Sequence, residues 1–199
     1  MKIGYSVEGS TDRALLKGLQ RRWCGNASLV EGKFRGSTHQ SRHREIPNIC
    51  LELMSKGADL IIFLRDANDE KWREALKNEE SRCAAESRHL AVFGVCDRNV
   101  ECWLCCHCEW IAKQTGIQPN EFRVGDPKGI FELALEISGP DRKEEAIATL
   151  VKDAPTEVLR HWLTNRSFED FYGKLWQQSK RLRERFPDCS LENLRQSSL

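Results

Sequence analysis

The chain has almost no charge of one sign to spare. Its 31 lysines and arginines face 30 aspartates and glutamates over 199 residues. No whole-chain field marks it as a nucleic-acid binder, and any basic surface has to be local. Long apolar runs are missing too. None approaches the ~20 residues that a bilayer core demands, so no helical membrane span is expected. The amino terminus lacks a basic stretch followed by an apolar one, and no secretory leader is expected. No GxxxxGK[ST] occurs, which excludes nucleotide hydrolysis through a P-loop. Internal repeats and low-complexity tracts are also missing. What the chain has in plenty is cysteine, nine residues with most of them crowded between 96 and 108. An odd number of cysteines without a leader points to reduced thiols in a cytoplasmic protein.

The first half alternates strand-like and helix-like segments. "KIGYSVE" reads as a short strand, and "STDRALLKGLQRRWC" carries a helical stripe at 14, 15, 16, 19 and 23. "NASLVEG" fits a second strand. "GKFRGSTHQSRHRE" is polar, basic and irregular. "IPNICLELMSKG" predicts a helix stopped by Gly57. "ADLIIFL" is the clearest strand, apolar on both faces as in a covered parallel sheet. "DEKWREALKNEESRCAAE" returns to helix, "HLAVFGVC" to strand, and "NVECWLCCHCEWIAKQTG" predicts a helix stopped by Gly116. This order argues for an α/β fold with a mainly parallel sheet flanked by helices. After Pro119 only helical periodicity remains, in "PKGIFELALEIS", "RKEEAIATLVKD", "PTEVLRHWL" and "FEDFYGKLWQQSKRLRERF". The expected organisation is an α/β domain over 1–124 with a helical C-terminal third, 125–199, packed on it.

Acids gather where the strands end, and in open parallel sheets the functional crevice lies at that rim. Glu8 ends the first strand with Asp12 one turn later. Asp66 ends the middle strand, followed by Asn68 and Asp69. Asp97 ends the next, with Glu101 four residues on. Asp12 and Glu101 fall in first helical turns, where a carboxylate gains from the helix dipole without any metal. Asp69 fits the cap of a helix beginning at Glu70. Glu8, Asp66 and Asp97 follow directly on apolar strands, where a lone buried charge costs on the order of several kcal/mol. Three strand ends aiming oxygen ligands at one rim suit a hard divalent cation, magnesium or manganese.

"VEGSTD", "FLRDAND" and "VECWL", with "GDPKGIFE" and the late "SFEDFYGKL", resemble the Toprim domain, whose fold is Rossmann-like. The likeness is to Toprim proteins of the OLD nuclease type and to a small Toprim-related family similar over nearly the whole chain. It implies that Glu8 and Asp12 form an acid-three-residues-acid metal motif. Asp66 and its neighbours would then form the second metal motif. It implies two divalent ions roughly 4 Å apart, with Glu8, Asp66 and Lys128 as catalytic residues. The chain departs from the family at Asn68, which stands where an aspartate is usual, with Asp69 displaced by one. The resemblance further implies a metal-dependent nuclease of DNA or RNA, partnered by a separate ABC-type ATPase in phage defence. The alternative is a catalytically degenerate Toprim-like regulatory subunit of such an ATPase complex.

Two further features stand apart from the acid motifs. "CWLCCHC" holds a CxxC at 102 and 105, but structural zinc usually takes two such pairs well separated. Only Cys189 and scattered histidines are left to complete it, so buried thiols are the preferred reading over a zinc-stabilised nucleic-acid-binding protein. The basic segment offers Lys33, Arg35, Arg42 and Arg44 either as phosphate contacts beside the acid rim or as a merely solvated loop.

Overall fold

Leu60–Leu64 is apolar at every position, a pattern that a strand buries only when both faces of its sheet are covered. In a computed structural model of the protein, this segment is central to a four-stranded sheet. The structure describes residues 1–34, 39–120, 128, 129, 131 and 143–194, with 39–43 as backbone alone. In chain order the strands are β1 (Lys2–Val7), β2 (Ser28–Glu31), β3 (Leu60–Asp66) and β4 (Ala91–Cys96). They lie side by side in the order β2-β1-β3-β4, and all pairs are parallel. The connecting helices are α1 (Ser10–Trp23), α2 (His39–Ser55), α3 (Trp72–Arg82) and the single turn α4 (Ala85–Arg88). After β4 come α5 (Val100–Leu104), a 3₁₀ turn (Cys105–His107) and α6 (Cys108–Thr115). The C-terminal helices are α7 (Lys143–Lys152), α8 (Thr156–Trp162) and α9 (Arg166–Leu182).

Strand alternation divides the core in two. Ile3 and Tyr5 of β1, Leu60, Ile62 and Leu64 of β3, and Val92 and Cys96 of β4 share one face. They bury against Leu15 and Leu19 of α1 and against Phe168, Phe171 and Leu175 of α9. The opposite face carries Ile61, Phe63, Phe93 and Val95 under Ile49 and Leu53 of α2 and Ala75 and Leu76 of α3. There the rings of Phe63 and Phe93 stack with centroids 4.7 Å apart. Arg65 falls on that second face and is fully buried, its Nε 2.7 Å from Glu79 Oε1 and its terminal nitrogen 2.9 Å from Glu70 Oε2. A buried guanidinium of this kind is tolerated only because it is paired.

The helical C-terminal part shares the first core with the sheet. Two glycines let it come close. A Cβ on Gly18 would stand 2.6 Å from the Ala148 carbonyl oxygen, where α1 and α7 cross, and one on Gly94 would stand 2.7 Å from Phe171 Cδ2. Any side chain at either site would push α7 or α9 off. The start of α9 is tied to the loop after β4 through Ser167. Its hydroxyl donates to Asn165 Oδ1 at 2.8 Å and accepts from the Asp97 amide at 2.9 Å and Trp103 Nε1 at 2.7 Å. Among the described residues, no helix is long and apolar enough to cross a membrane.

Several local expectations need correction. The basic segment is helical from His39, where α2 begins, and the helix runs through Pro47. Packing of Ile46, Ile49, Cys50 and Leu53 on the sheet outweighs the one backbone bond that proline removes. Helix α3 begins at Trp72 with Lys71 as its cap, so Asp69 caps nothing there. The long cysteine-bearing helix is broken by the 3₁₀ turn at Cys105–His107, although it does stop at Gly116, which takes the left-handed conformation with φ 78°. The thiols are not all free either. Cys24 and Cys189 form a disulfide between the end of α1 and the chain after α9, with Cα atoms 4.4 Å apart.

Candidate metal centre

The order β2-β1-β3-β4 puts the change of winding between β1 and β3, and a crevice opens beyond the carboxyl ends of strands at such a point. Glu8 follows β1 and Asp66 closes β3, so both stand at that gap. The Asp66 amide donates to Glu8 Oε2 at 3.3 Å. Alternation along β3 turns Asp66 to the face already taken by Leu60, Ile62 and Leu64, the side covered by α1. Its register partner across β3–β4 is Cys96, which belongs to the same face. Sheet geometry alone thus sets a carboxylate and a thiol next to each other beneath the start of α1.

Asp12 comes down onto the pair from α1. Gly9 caps that helix, and Asp12 occupies its third position. Asp12 Oδ2 accepts the Gly9 N–H at 2.8 Å, the carboxylate half of a capping box. That contact uses only one oxygen. Oδ1 is buried with no hydrogen-bond partner, and the residue is 3% exposed. Glu101 enters from the second position of α5 and is 2% exposed. Helix α5 is held in place at its start by Asn99, whose Oδ1 accepts the Cys102 N–H at 3.2 Å, and by Asp66, whose Oδ1 accepts the Val100 N–H at 3.1 Å.

An Asp12 carboxylate oxygen, an Asp66 carboxylate oxygen and the Cys96 sulfur lie within 4.8 Å of one another. The electrostatics follow from that crowding. Burial first, then the negative charges of Asp66, Glu8 and Glu101, push Asp12 up to about 8 against the pull of the Gly9 amide. Asp66 rises to about 6 through burial and the charges of Glu101 and Glu8, while Lys128 and the Val100 amide draw it down. Burial, with Asp12, Asp66 and Glu101 around it, holds the Cys96 thiol well above its ordinary range. The cluster is therefore short of positive charge. It must either keep protons or take a cation.

Glu8, Asp12, Asp66 and Glu101 are brought to one place, with Glu8 exposed at its mouth, and Lys128 acts on Asp66 electrostatically. The other candidate ligands stand outside the buried cluster. Asn68 is exposed in a turn with φ 52°, its amide donating to the Arg98 carbonyl at 3.0 Å, and Asp69 beside it is exposed as well. Asp97 is exposed, with its amide on Ser167. Of the basic residues, Lys33 is exposed and lines a cleft of about 400 Å³ with Glu45, Asn48, Ile49 and Glu52, a mixed rather than basic wall. Arg44 is exposed on α2, not in a loop. Arg35 and the side chain of Arg42 lie outside the described residues.

The four cysteines of "CWLCCHC" are half-buried free thiols. Cys106 Sγ donates to the Cys102 carbonyl at 3.2 Å, and His107 Nδ1 accepts the Trp110 amide at 3.1 Å as the cap of α6. The residue that sequence reasoning missed is Cys96. Its signal is its position as the last residue of an apolar strand, the counterpart of Asp66 one strand over.

No protein-family model matches the chain, and no curated protein or solved structure is significantly similar to it.

Proposed function

We propose that the protein is a metal-dependent nuclease of Toprim type, cleaving phosphodiester bonds of DNA or RNA at the cluster of Asp12, Asp66, Glu8 and Glu101. The single observation that carries this reading is the convergence of those carboxylates at the switch point of the sheet around a buried, unpartnered Asp12 Oδ1. A buried carboxyl oxygen without a partner costs on the order of 1–3 kcal/mol, and a proton, an ordered water or a cation would complete it. Asp12 and Asp66 fit the role of cation ligands, with the exposed Glu8 on the solvent side. A divalent cation held there would supply Lewis-acid activation of water and stabilisation of the leaving oxygen.

The chain's own residues would do the rest. Asp12 Oδ2, fixed on the Gly9 amide, leaves Oδ1 buried and without a hydrogen-bond partner. Glu8 is the carboxylate best exposed to receive a proton from attacking water. Lys128 is exposed and exerts its charge on the same cluster, which suits it to meet the negative charge that grows on a phosphate. A separate ABC-type ATPase as partner and a role in phage defence belong to this proposal, on the strength of the resemblance alone.

The test is cleavage of supercoiled plasmid and of total RNA by purified protein with magnesium or manganese, beside Glu8→Ala and Asp66→Asn. Metal-dependent cleavage that both substitutions abolish is the expected result. Cleavage that survives both at the wild-type rate would refute the assignment.

A further inference from the structure

The buried end of this site is not all oxygen. Cys96 is fully buried, in register with Asp66, and its sulfur lies within 4.8 Å of carboxylate oxygens of Asp12 and Asp66. Its face of β4 packs against α5 and α9 within the first core. Asp12, 3% exposed, supplies the independent sign of a missing ligand, an Oδ1 with no donor. Two hard oxygens and one soft sulfur do not make a magnesium site. Magnesium prefers near-octahedral oxygen and water, whereas thiolates select borderline and softer cations.

We propose that Cys96 is a third ligand of the centre, so that the protein takes a divalent transition cation of the manganese, iron, cobalt and zinc class in preference to magnesium. Binding breaks the Cys96 S–H bond and forms a sulfur–metal bond, and the proton leaves to solvent. This inference rests on the metal-site reading above but can fail without it. A site that binds cations through oxygen alone would still serve a magnesium nuclease.

The probe is cobalt(II), added to the full chain after chelator treatment under reducing conditions and followed by absorption spectroscopy. The expected result is a near-ultraviolet thiolate-to-cobalt charge-transfer band that saturates at one equivalent, with weaker visible ligand-field bands. A large excess of magnesium should leave the band in place. Cys96→Ser should lose the charge-transfer band and keep the ligand-field bands, while Cys102→Ser should keep both. Visible bands without the charge-transfer band would overturn the role of Cys96 and leave an oxygen-only site standing. Charge transfer that persists in Cys96→Ser would assign the sulfur to another cysteine and equally overturn it. If no cobalt binds, both the inference and the metal-site reading fall. Should Cys96→Ser not fold, the number of sulfur neighbours seen by X-ray absorption on the wild-type cobalt complex decides the same point, with one expected and none refuting.

Discussion

Asp12→Asn is expected to make the metal-free protein more stable at pH 8 and to abolish its stabilisation by metal. The unfolded chain holds an ordinary aspartate near 3.8, while the folded chain raises Asp12 to about 8. Between those values the folded state keeps a proton that the unfolded state has lost. Stability from this group is therefore complete below about pH 4 and falls as pH climbs towards 8. One unit is worth about 1.4 kcal/mol, so a gap of about 4 units sets a ceiling of roughly 5–6 kcal/mol. Water entry and side-chain relaxation reduce such penalties, and roughly 2–3 kcal/mol is the expected gain of the variant at pH 8. Asparagine retains the oxygen that accepts the Gly9 amide, so the cap survives. The assay is urea unfolding from pH 5 to 9 in a chelator, then at pH 8 with manganese. Manganese at 100 times its dissociation constant should add about 2.7 kcal/mol to the wild type and next to nothing to the variant. A wild-type stability that rises from pH 5 to 8 in chelator, or a variant less stable than wild type at pH 8, would refute the reasoning.

Three further substitutions probe what holds the centre in place. Ser167→Ala leaves Trp103 Nε1 and the Asp97 amide without their acceptor and should cost about 1–3 kcal/mol in urea unfolding. It should also loosen the loop after β4, seen as faster amide exchange at Asp97. Glu79→Ala removes the buried carboxylate beside Arg65 Nε while Glu70 stays on the terminal nitrogen, and a loss of about 1–3 kcal/mol is expected on the same scale. Gly94→Ala forces a methyl group against Phe171 and Leu64. A loss of about 1–3 kcal/mol, measured as a lower urea midpoint with an unchanged slope, is the expected outcome.

The strands could be read from the chain because their signals are local. A run such as "LIIFL" between polar flanks is apolar beyond what a half-exposed strand needs, and all four strands stand where their residues indicate. Gly57 and Gly116 end their helices for an equally local reason, a left-handed residue at the cap. Glu8, Asp12, Asp66 and Glu101 were visible as acids at strand ends and first turns, since both positions are defined within a few residues. Helix boundaries were less visible where packing rather than propensity set them. Helix α2 continues through Pro47 because its apolar face lies on the sheet, which no window around Pro47 reveals.

Which of the acids meet was a matter for the tertiary structure. Asp97 and Asp69 carry the same carboxylate as Asp66, and Asn68 an amide oxygen, at neighbouring positions, yet they stand in the solvent. A strand residue's direction alternates and its loop neighbours follow no such rule. Cys96 shows the same dependence from the other side. Alone it is one more buried thiol, and only the β3–β4 register makes it the neighbour of Asp66. The amino-acid order decides which residues can be ligands and on which elements they ride. Strand order, register and the descent of α1 onto the sheet decide which of them share one buried space, because those distances are set by contacts between segments far apart in the chain.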